Sequence, residues 1–303
     1  MRGLGAPFSS SSERSSTLRG KEDSILTGFH GDTMCDFCTK HGDGKIWYKN
    51  ARNYANDLLS DLERRRYIES FLTTAFKDGF QTLGRLEAIY RKKGRLPEAI
   101  TTAMVTKAKQ EHFGQVLPIE EISEVVRQAK TVVRMPCACR WNIGKKEERC
   151  CYAVSYGAEA WYEGIDMGYF GKASDEGLES ISPDAAIEQM KEMEGEGAVH
   201  TIWTMMTPFI GAICNCSPEE CLAMRTLSRT TVETMERAEF AAKVDESLCT
   251  GCGLCDARCH FHAIESVARS GISRARIDPH KCFGCGLCRR VCSAGAISLV
   301  LRR

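Results

Sequence analysis

The spacing of apolar residues predicts helices over most of the first half of the chain. Apolar residues recur every three or four positions from Trp47 to about Arg66 and again from Ile68 to Tyr90, which is typical of the buried face of a helix. Pro97 and Pro118 each stand at the start of a further helical stretch, where proline is well tolerated. We therefore expect residues 25–135 to be a mainly helical region.

The middle of the chain contains runs of β-branched and aromatic residues that are typical of buried strands. TVVRM at 131–135, AVHTIWTM at 198–205 and FIGAIC at 209–214 are strand candidates. Between them, Ser182-Pro183 predicts the start of a helix that runs through Met193 to a glycine end. This alternation predicts a small mixed α/β module at residues 136–229.

Two more helices are expected after the strands. Ser217 and Glu220 have the spacing of a capping box, which predicts a helix from Pro218 with Cys221 in its first turn. The charged stretch at 230–242 is predicted to be a linker helix that leads to the last part of the chain.

The longest stretch without charge is a candidate membrane span that we interpret differently. Residues 197–218 are long enough to cross a bilayer. They also contain His200 and Asn215, and Pro208 lies in the middle. We expect two buried strands that are split at Pro208, and hence no membrane span, although peripheral association with a membrane stays open.

Composition and charge narrow the class of protein. The 303 residues favour more than one domain, and 43% hydrophobic residues are enough for a buried core. The formal net charge of +1 gives no argument for nucleic-acid binding, and we read the basic clusters at 64–66 and 91–93 as solvated helix surface. Residues 1–24 contain many serines and no apolar segment, so we expect a disordered tail and a cytoplasmic protein.

Seventeen cysteines are the strongest chemical signal in the sequence. In a long cytoplasmic chain, reduced cysteines point to metal ligands or redox groups rather than to disulfides. Eight of them form two copies of C-x2-C-x2-C-x3-C that stand 33 residues apart. This spacing suits four thiolates around an iron–sulfur cubane, and glycines inside each copy relieve crowding near the cluster. Zinc is the weaker alternative, since its sites favour separate C-x2-C pairs.

Residues 243–300 resemble the bacterial two-cluster [4Fe–4S] ferredoxins. The resemblance implies a ferredoxin domain at 243–303 in which each motif gives its fourth cysteine to the other cluster. The implied ligands of the first cluster are Cys249, Cys252, Cys255 and Cys292, and those of the second are Cys282, Cys285, Cys288 and Cys259.

The ferredoxin-like segment departs from the family in one position of each motif. The family usually has proline after the fourth cysteine, where this chain has His260 and Ser293. Proline is not a ligand, so the departure affects local packing and potential rather than cluster binding. The segment is also basic, with ten Lys or Arg and five Asp or Glu over residues 240–303. We therefore expect potentials above those of acidic ferredoxins.

Seven further cysteines lie between residues 137 and 221. Two C-x-C pairs follow predicted strands, and residues two apart on a strand face the same side. In the adjacent pair at 150–151, only one side chain is expected to face a shared site. We expect a third metal site here, with an iron–sulfur cluster favoured over zinc, and buried inert cysteines are the alternative. The candidate ligands are Cys137, Cys139, Cys150, Cys151, Cys214, Cys216 and Cys221.

The remaining pair, Cys35 and Cys38, gives a weaker signal. Its C-x-x-C spacing is compatible with zinc or an iron–sulfur cluster, with a redox dithiol, or with no metal. His30 and His41 lie close enough in sequence to complete a zinc site. No strand is predicted in front of the pair, which argues against a thioredoxin-type motif.

The complete layout is α+β: a mainly helical N-terminal region leads into a small mixed α/β cysteine-rich domain, followed by a ferredoxin-like domain. It resembles a loosely defined group of iron–sulfur proteins from anaerobic bacteria and archaea. We expect an electron-transfer protein or subunit that serves a flavoprotein or a reductase or dehydrogenase complex, since no dinucleotide-binding motif is evident. The alternatives are an oxidoreductase with a catalytic N-terminal metal site and an iron–sulfur redox sensor. The sequence does not predict the oligomeric state.

Overall fold

The structure is a computed structural model that describes residues 36–54, 61–145, 148–157, 178–269 and 272–302. Its first part is helical. The elements are α1 (Asp36–His41), two 3₁₀ turns (Trp47–Lys49 and Ala51–Asn53), α2 (Leu62–Ser70), a π turn (Phe71–Ala75), α3 (Phe76–Lys93) and α4 (Glu98–Glu111).

Strands and helices then alternate as far as residue 230. The elements are β1 (Gly114–Leu117), α5 (Ile119–Gln128), β2 (Thr131–Met135), α6 (Ala138–Asn142), β3 (Cys151–Ser155), β4 (Glu179–Ile181), α7 (Pro183–Glu196), β5 (Val199–Thr204), β6 (Ile210–Cys216) and α8 (Leu222–Thr230). The last part of the chain is built from short elements: β7 (Phe240–Val244), α9 (Leu254–Ala257), β8 (Ile264–Arg269), β9 (Ile272–Ile277), α10 (Leu287–Arg290) and β10 (Ile297–Leu301).

The single helix predicted from Trp47 to Arg66 is wrong in its first part. The structure has two short 3₁₀ turns there, and Tyr54 pairs with Ile210 of the sheet. The Trp47 indole donates to Gln115, and the Asn53 amide donates to the carbonyl of Trp47. These side-chain hydrogen bonds and the burial of the aromatic rings override the helical spacing.

The first six strands form one antiparallel sheet in the order β1-β5-β6-β3-β2-β4. The predicted strands at 131–135, 198–205 and 209–214 are confirmed, as is the helix that begins at Pro183. The sheet takes β1 and β2 from the region predicted to be helical. The predicted boundary at residue 135 therefore cuts through one sheet, and the two regions form one unit.

The alternation of side chains along the strands gives the sheet two different faces. One face packs against α5 and α7 through Tyr152, Val154, Ile202 and other large apolar residues. The opposite face carries the cysteines together with valines, alanines and Trp203, and residues of α2, α3, α6 and α8 pack in the same core. The cysteine-bearing face is therefore an interior surface between the sheet and a second helical layer.

Two predicted helices after the sheet need correction. The linker helix at 230–242 is wrong: α8 ends at Thr230, Glu236 forms a bridge with Gln115, and β7 begins at Phe240. Thr231 adopts a left-handed conformation that ends α8. The helix predicted from Pro218 begins later, at Leu222, and Cys221 is its N-cap rather than part of its first turn.

The C-terminal unit contains two antiparallel strand pairs, β7 with β10 and β8 with β9. Its first and last strands pair, since Val244 lies opposite Ile297. The sequence prediction that Ala263-Ile264 and Ala296-Ile297 lead into short strands is confirmed by the starts of β8 and β10.

The C-terminal unit docks on the end of α7 and the start of α5. The Arg258 guanidinium donates to the carbonyl of Gly195, and the ring nitrogen Nε2 of His260 lies 2.8 Å from the carbonyl oxygen of Gly197. Two ion pairs, Arg289 with Glu120 and Arg290 with Glu194, join the same two helices to α10. The docking therefore uses three arginines of the basic C-terminal segment.

Within the described ranges, no helix is both long enough and apolar enough to cross a bilayer.

Replacing Gly197 by Ala should weaken this docking. Gly197 ends α7 with φ of 110°, and an added Cβ would lie 2.8 Å from Nη1 of Arg258. The left-handed conformation alone costs a non-glycine residue roughly 1–2 kcal/mol. Gly94→Ala is a matched control because Gly94 ends α3 in a left-handed conformation with no atom within 4 Å of the added Cβ.

We expect Gly197→Ala to lower the free energy of unfolding in urea more than Gly94→Ala does. The excess should shrink when Arg258 is also replaced by Ala, since the clash is then removed. Equal losses in the two single variants, or an unchanged excess in the double variant, would contradict the contact between α7 and Arg258.

Candidate metal centres

Glycines give each C-terminal motif its tight path. Gly251, Gly253, Gly284 and Gly286 all have positive φ between 71° and 86°. A Cβ at Gly251 would collide with the Ser273 carbonyl oxygen. The backbone therefore wraps closely around each cysteine loop, as the sequence predicted, and the positive φ favours glycine at all four positions.

The first cavity of the C-terminal unit is surrounded by cysteines from both motifs. The cysteines that line it are Cys249, Cys252, Cys255 and Cys292. We call this set the exposed cage, because Cys252 is exposed and the other seven C-terminal cysteines are buried or half-buried.

The second cavity has the reciprocal composition. The apolar residues around it include Phe261, Phe283 and Leu287. The cysteines that line it are Cys259, Cys282, Cys285 and Cys288. We call this set the buried cage. In both cages, three sulfurs come from one motif and the fourth comes from the other.

The two cages share a wall. Ile264 lines both cavities, and α9 contacts α10 between them. Metal clusters in the two cages would thus be separated by one layer of side chains. This arrangement suits transfer of single electrons between neighbouring centres.

Backbone N–H groups point at several of the cage sulfurs. The amides of Ala242 and Gly284 each lie 3.4 Å from Sγ of Cys282, and the amide of Ala275 lies 3.5 Å from Sγ of Cys249. Such N–H···S hydrogen bonds stabilise negative charge on sulfur and raise the reduction potential of an iron–sulfur cluster.

Burial favours the neutral thiol at two cysteines of the buried cage. Desolvation raises the pKa of Cys288 to about 12 and also raises the pKa of Cys285. Metal ligation needs thiolates, so loading this cage must release protons and should be favoured by higher pH. Four convergent sulfurs, close glycine backbone and N–H donors fit a cubane cluster in each cage.

The buried cage faces the rest of the protein. Cys285, Phe283 and Leu287 belong to the same apolar core as the cysteine-bearing face of the sheet. Phe283 also stacks on Phe261, with ring centroids 4.2 Å apart. The exposed cage lies farther out, where Leu248 and Leu254 are half exposed, at 50% and 53%.

Upstream, seven cysteines converge on the covered face of the sheet. Cys137 and Cys139 lie at the start of α6, and Cys221 is the N-cap of α8. The other four come from β3, β6 and the residue before β3. We call this set the seven-cysteine group: Cys137, Cys139, Cys150, Cys151, Cys214, Cys216 and Cys221.

Two details of this group differ from the sequence prediction. The pair Cys137-Ala-Cys139 is not extended, because α6 begins at Ala138. The adjacent pair was predicted to place one side chain in the site, whereas Cys150 and Cys151 both lie within 4.8 Å of Cys137. Cys150 precedes β3, which begins at Cys151. The alternation of side chains along a strand therefore does not fix the direction of the Cys150 side chain.

Cys137, Cys150 and Cys151 lie together in the group, with sulfurs that are all within 4.8 Å of one another. The thiols around Cys137 lower its pKa well below the usual value for a thiol, and burial opposes the shift less strongly.

The remaining members lie on the same buried face. The neighbouring thiols of Cys139 and Cys216, together with nearby backbone N–H groups, lower the pKa of Cys221. Cys151 and Cys214 lie directly opposite each other on β3 and β6, with sulfurs 3.8 Å apart. All seven cysteines therefore belong to one core on this face of the sheet.

A cation that sequence reasoning missed lies beside the group. Burial lowers the pKa of Arg140, but negative charge on Cys150 and Cys216 and on two carboxylates outweighs burial and raises it. The guanidinium lies 2.6 Å from Glu220, which also pairs with Lys145. The position of Arg140 directly after Cys139 was the available signal.

The structure describes only one member of the pair Cys35 and Cys38. Cys35 and His30 lie outside the described residues. Cys38 is buried in α1, and its sulfur lies 3.6 Å from Oε1 of Glu239. His41 packs its ring on Phe37, with centroids 4.6 Å apart. The zinc, dithiol and metal-free interpretations of this pair stay predictions.

Comparison with known families agrees with the C-terminal geometry. Residues 242–299 match the family model described as a 4Fe-4S dicluster domain. No curated protein matches the chain. The C-terminal part of this protein is therefore a dicluster ferredoxin-type domain, and iron–sulfur electron transfer is the function that such a domain implies.

Proposed function

We propose that this protein relays single electrons between a redox partner and its N-terminal unit through two [4Fe–4S] clusters. The exposed cage and the buried cage each hold one cluster through their four cysteines. The observation that carries the proposal is the shared wall at Ile264, because it places the two four-sulfur cages next to each other.

The unequal exposure of the cages gives the relay a direction in space. Cys252 of the exposed cage is open to solvent, whereas the buried cage packs into the core that contains the seven-cysteine group. The clusters in the exposed cage and the buried cage are called the outer cluster and the inner cluster. An external protein can approach the outer cluster, where exposed Leu248 and Leu254 provide apolar contact area. The inner cluster then exchanges electrons with a metal site at the seven-cysteine group.

The partner belongs to the class that converts two-electron chemistry into single electrons, such as a flavoprotein or a reductase or dehydrogenase complex. Asp245, Glu246 and Asp256 are exposed in this part of the chain, and the Arg274 guanidinium lies beside them, where it donates to the carbonyls of Glu246 and Cys249. The charge of the outer rim is therefore mixed and does not select a partner of one sign. In this proposal the protein works as an electron-transfer subunit rather than as the enzyme that transforms the substrate.

Exchange of the fourth cysteine between the motifs predicts which variants resemble each other. Cys259→Ala and Cys285→Ala should both empty the buried cage, with loss of about four irons. Cys252→Ala and Cys292→Ala should both empty the exposed cage. Iron analysis and low-temperature EPR of anaerobically purified, dithionite-reduced protein measure the loss and the surviving signal.

The crossed assignment requires the EPR spectrum of Cys259→Ala to match that of Cys285→Ala. If Cys259→Ala instead matched Cys252→Ala, each motif would close its own cluster and the proposed ligand sets would be wrong.

The two clusters should also differ in access from water. A water-soluble dysprosium chelate should speed the electron-spin relaxation of the outer cluster, observed alone in Cys285→Ala, because dipolar relaxation falls steeply with distance. The inner cluster, observed alone in Cys252→Ala, should respond much less. Equal responses would contradict the outward and inward orientation of the relay.

A further inference from the structure

Three sulfurs of the seven-cysteine group lie close to one another. The sulfurs of Cys137, Cys150 and Cys151 are all within 4.8 Å of one another, and all three cysteines are buried. We call them the three-sulfur site. The described part of the chain includes all eight cage cysteines, yet it holds no second set of three cysteine, histidine or carboxylate side chains that lie this close. The three-sulfur site is therefore spaced differently from the two cages.

The spacing distinguishes between two kinds of metal centre. A cubane has an iron–sulfide core between its four thiolates, which keeps those thiolates apart, and the wider spacing in the cages agrees with that. A single ion holds its thiolates at the corners of a small tetrahedron, with edges of about 3.8 Å for metal–sulfur bonds of about 2.3 Å. Sulfurs within 4.8 Å of one another need to move by about 1 Å at most to reach this spacing. The three-sulfur site therefore suits one ion rather than a cubane.

The backbone around the three-sulfur site is held by hydrogen bonds. The N–H group of Cys137 donates to the carbonyl of Glu148 over 3.1 Å. The carbonyl of Cys150 accepts from the backbone N–H and from the side-chain amide of Asn215, at 3.1 Å and 2.9 Å. Cys151 pairs with β2 on one side and with β6 on the other. The site is therefore preorganised, which lowers the entropic cost of binding an ion.

The other cysteines of the group lie outside this set. The sulfur of Cys214 is 3.8 Å from that of Cys151, but it does not lie within 4.8 Å of all three members. The same is true of the sulfurs of Cys139, Cys216 and Cys221. Three protein ligands are typical of an ion that keeps its fourth position for a water molecule.

A buried donor close to the three-sulfur site has no acceptor. Arg140 lies in α6, whose N-cap is Cys137, and its terminal nitrogens pair with Glu148 and Glu220. Its Nε–H group is buried and has no hydrogen-bond partner among the described residues. A buried donor without a partner is unfavourable, and a thiolate bound to a metal is a charged acceptor. The Nε–H group of Arg140 is therefore available to a ligand thiolate.

We propose that the thiolates of Cys137, Cys150 and Cys151 bind one thiophilic divalent cation, zinc or ferrous iron, and that no other cysteine of the group is a ligand. As the ion binds, each of the three thiols loses its proton to solvent, and no electron is transferred. This inference rests on the N-terminal metal site of the proposed function and deepens it. A single ion replaces the third iron–sulfur cluster expected from the sequence.

Metal and sulfide analysis tests the proposal on the full-length protein purified without oxygen. The background carries Cys38→Ala, so that metal at the Cys35–Cys38 pair does not enter the count. We expect about one zinc or iron ion beyond the roughly eight irons of the two clusters, with about eight inorganic sulfides. Elemental analysis distinguishes zinc from iron.

Alanine variants test the ligand set. Cys137→Ala, Cys150→Ala and Cys151→Ala should each lose most of the extra ion and keep the irons of the two cages. Cys214→Ala is the matched control, because it removes a thiol of the same core that lies 3.8 Å from Cys151 and is not a ligand. We expect Cys214→Ala to keep the ion. Iron retained in the cages shows that each variant is folded.

Two results with these variants would overturn the ligand assignment. One is loss of the ion in Cys214→Ala equal to the loss in Cys150→Ala, since a fourth sulfur would then be a ligand. The other is an equal loss in Val133→Ala, which removes volume from the same buried face without removing a sulfur.

The metal and sulfide counts separate failure of this proposal from failure of the relay. About twelve irons with about twelve sulfides would mean a third cubane and would overturn the single-ion proposal, while the relay would stand. About eight irons and no further metal would overturn both the single-ion proposal and the N-terminal metal site. Loss of the cage irons with the extra ion retained would count against the relay alone. Zinc as the extra ion would support the proposal and make the inner cluster the end of the relay.

Discussion

The constraint on which the rest of the structure depends is the closure of each C-terminal cage by a cysteine from the other motif. Each motif gives three cysteines to one cage and its fourth to the other, so the two halves must fold together. Pairing of β7 with β10 holds the ends of the unit together, and Ile264 fills the wall between the cages. The glycines with positive φ allow the backbone to come close enough for N–H groups to reach the sulfurs.

This closed unit is fixed in one orientation on the larger α/β unit. Arg258 and His260 bind the end of α7, and the two arginines of α10 form ion pairs with α5 and α7. Exposed ion pairs contribute little stability on their own. Their position matters more here, because they turn the buried cage toward the core that holds the seven-cysteine group. The order of the centres from surface to interior follows from this docking.

The sequence predicted those parts in which local chemistry is decisive. Two repeated motifs identified the eight C-terminal cysteines, and β-branched runs identified β2, β5 and β6. Prediction failed where distant contacts override local preference. The spacing from Trp47 is helical, but the Trp47 indole donates to Gln115 and the Asn53 amide donates to the carbonyl of Trp47. Two 3₁₀ turns form there in place of a helix. Likewise, no local pattern shows that Cys150 and Cys151 both face Cys137, since that depends on where β3 starts.

The central claim is that two iron–sulfur cubanes stand close enough to exchange single electrons. A stepwise reductive titration followed by low-temperature EPR tests it most directly. The account predicts a simple spectrum when one cluster is reduced and a broadened, spin-coupled spectrum when both are reduced. Two independent, uncoupled signals at full reduction, or colourless protein with zinc at the eight C-terminal sulfurs, would contradict it.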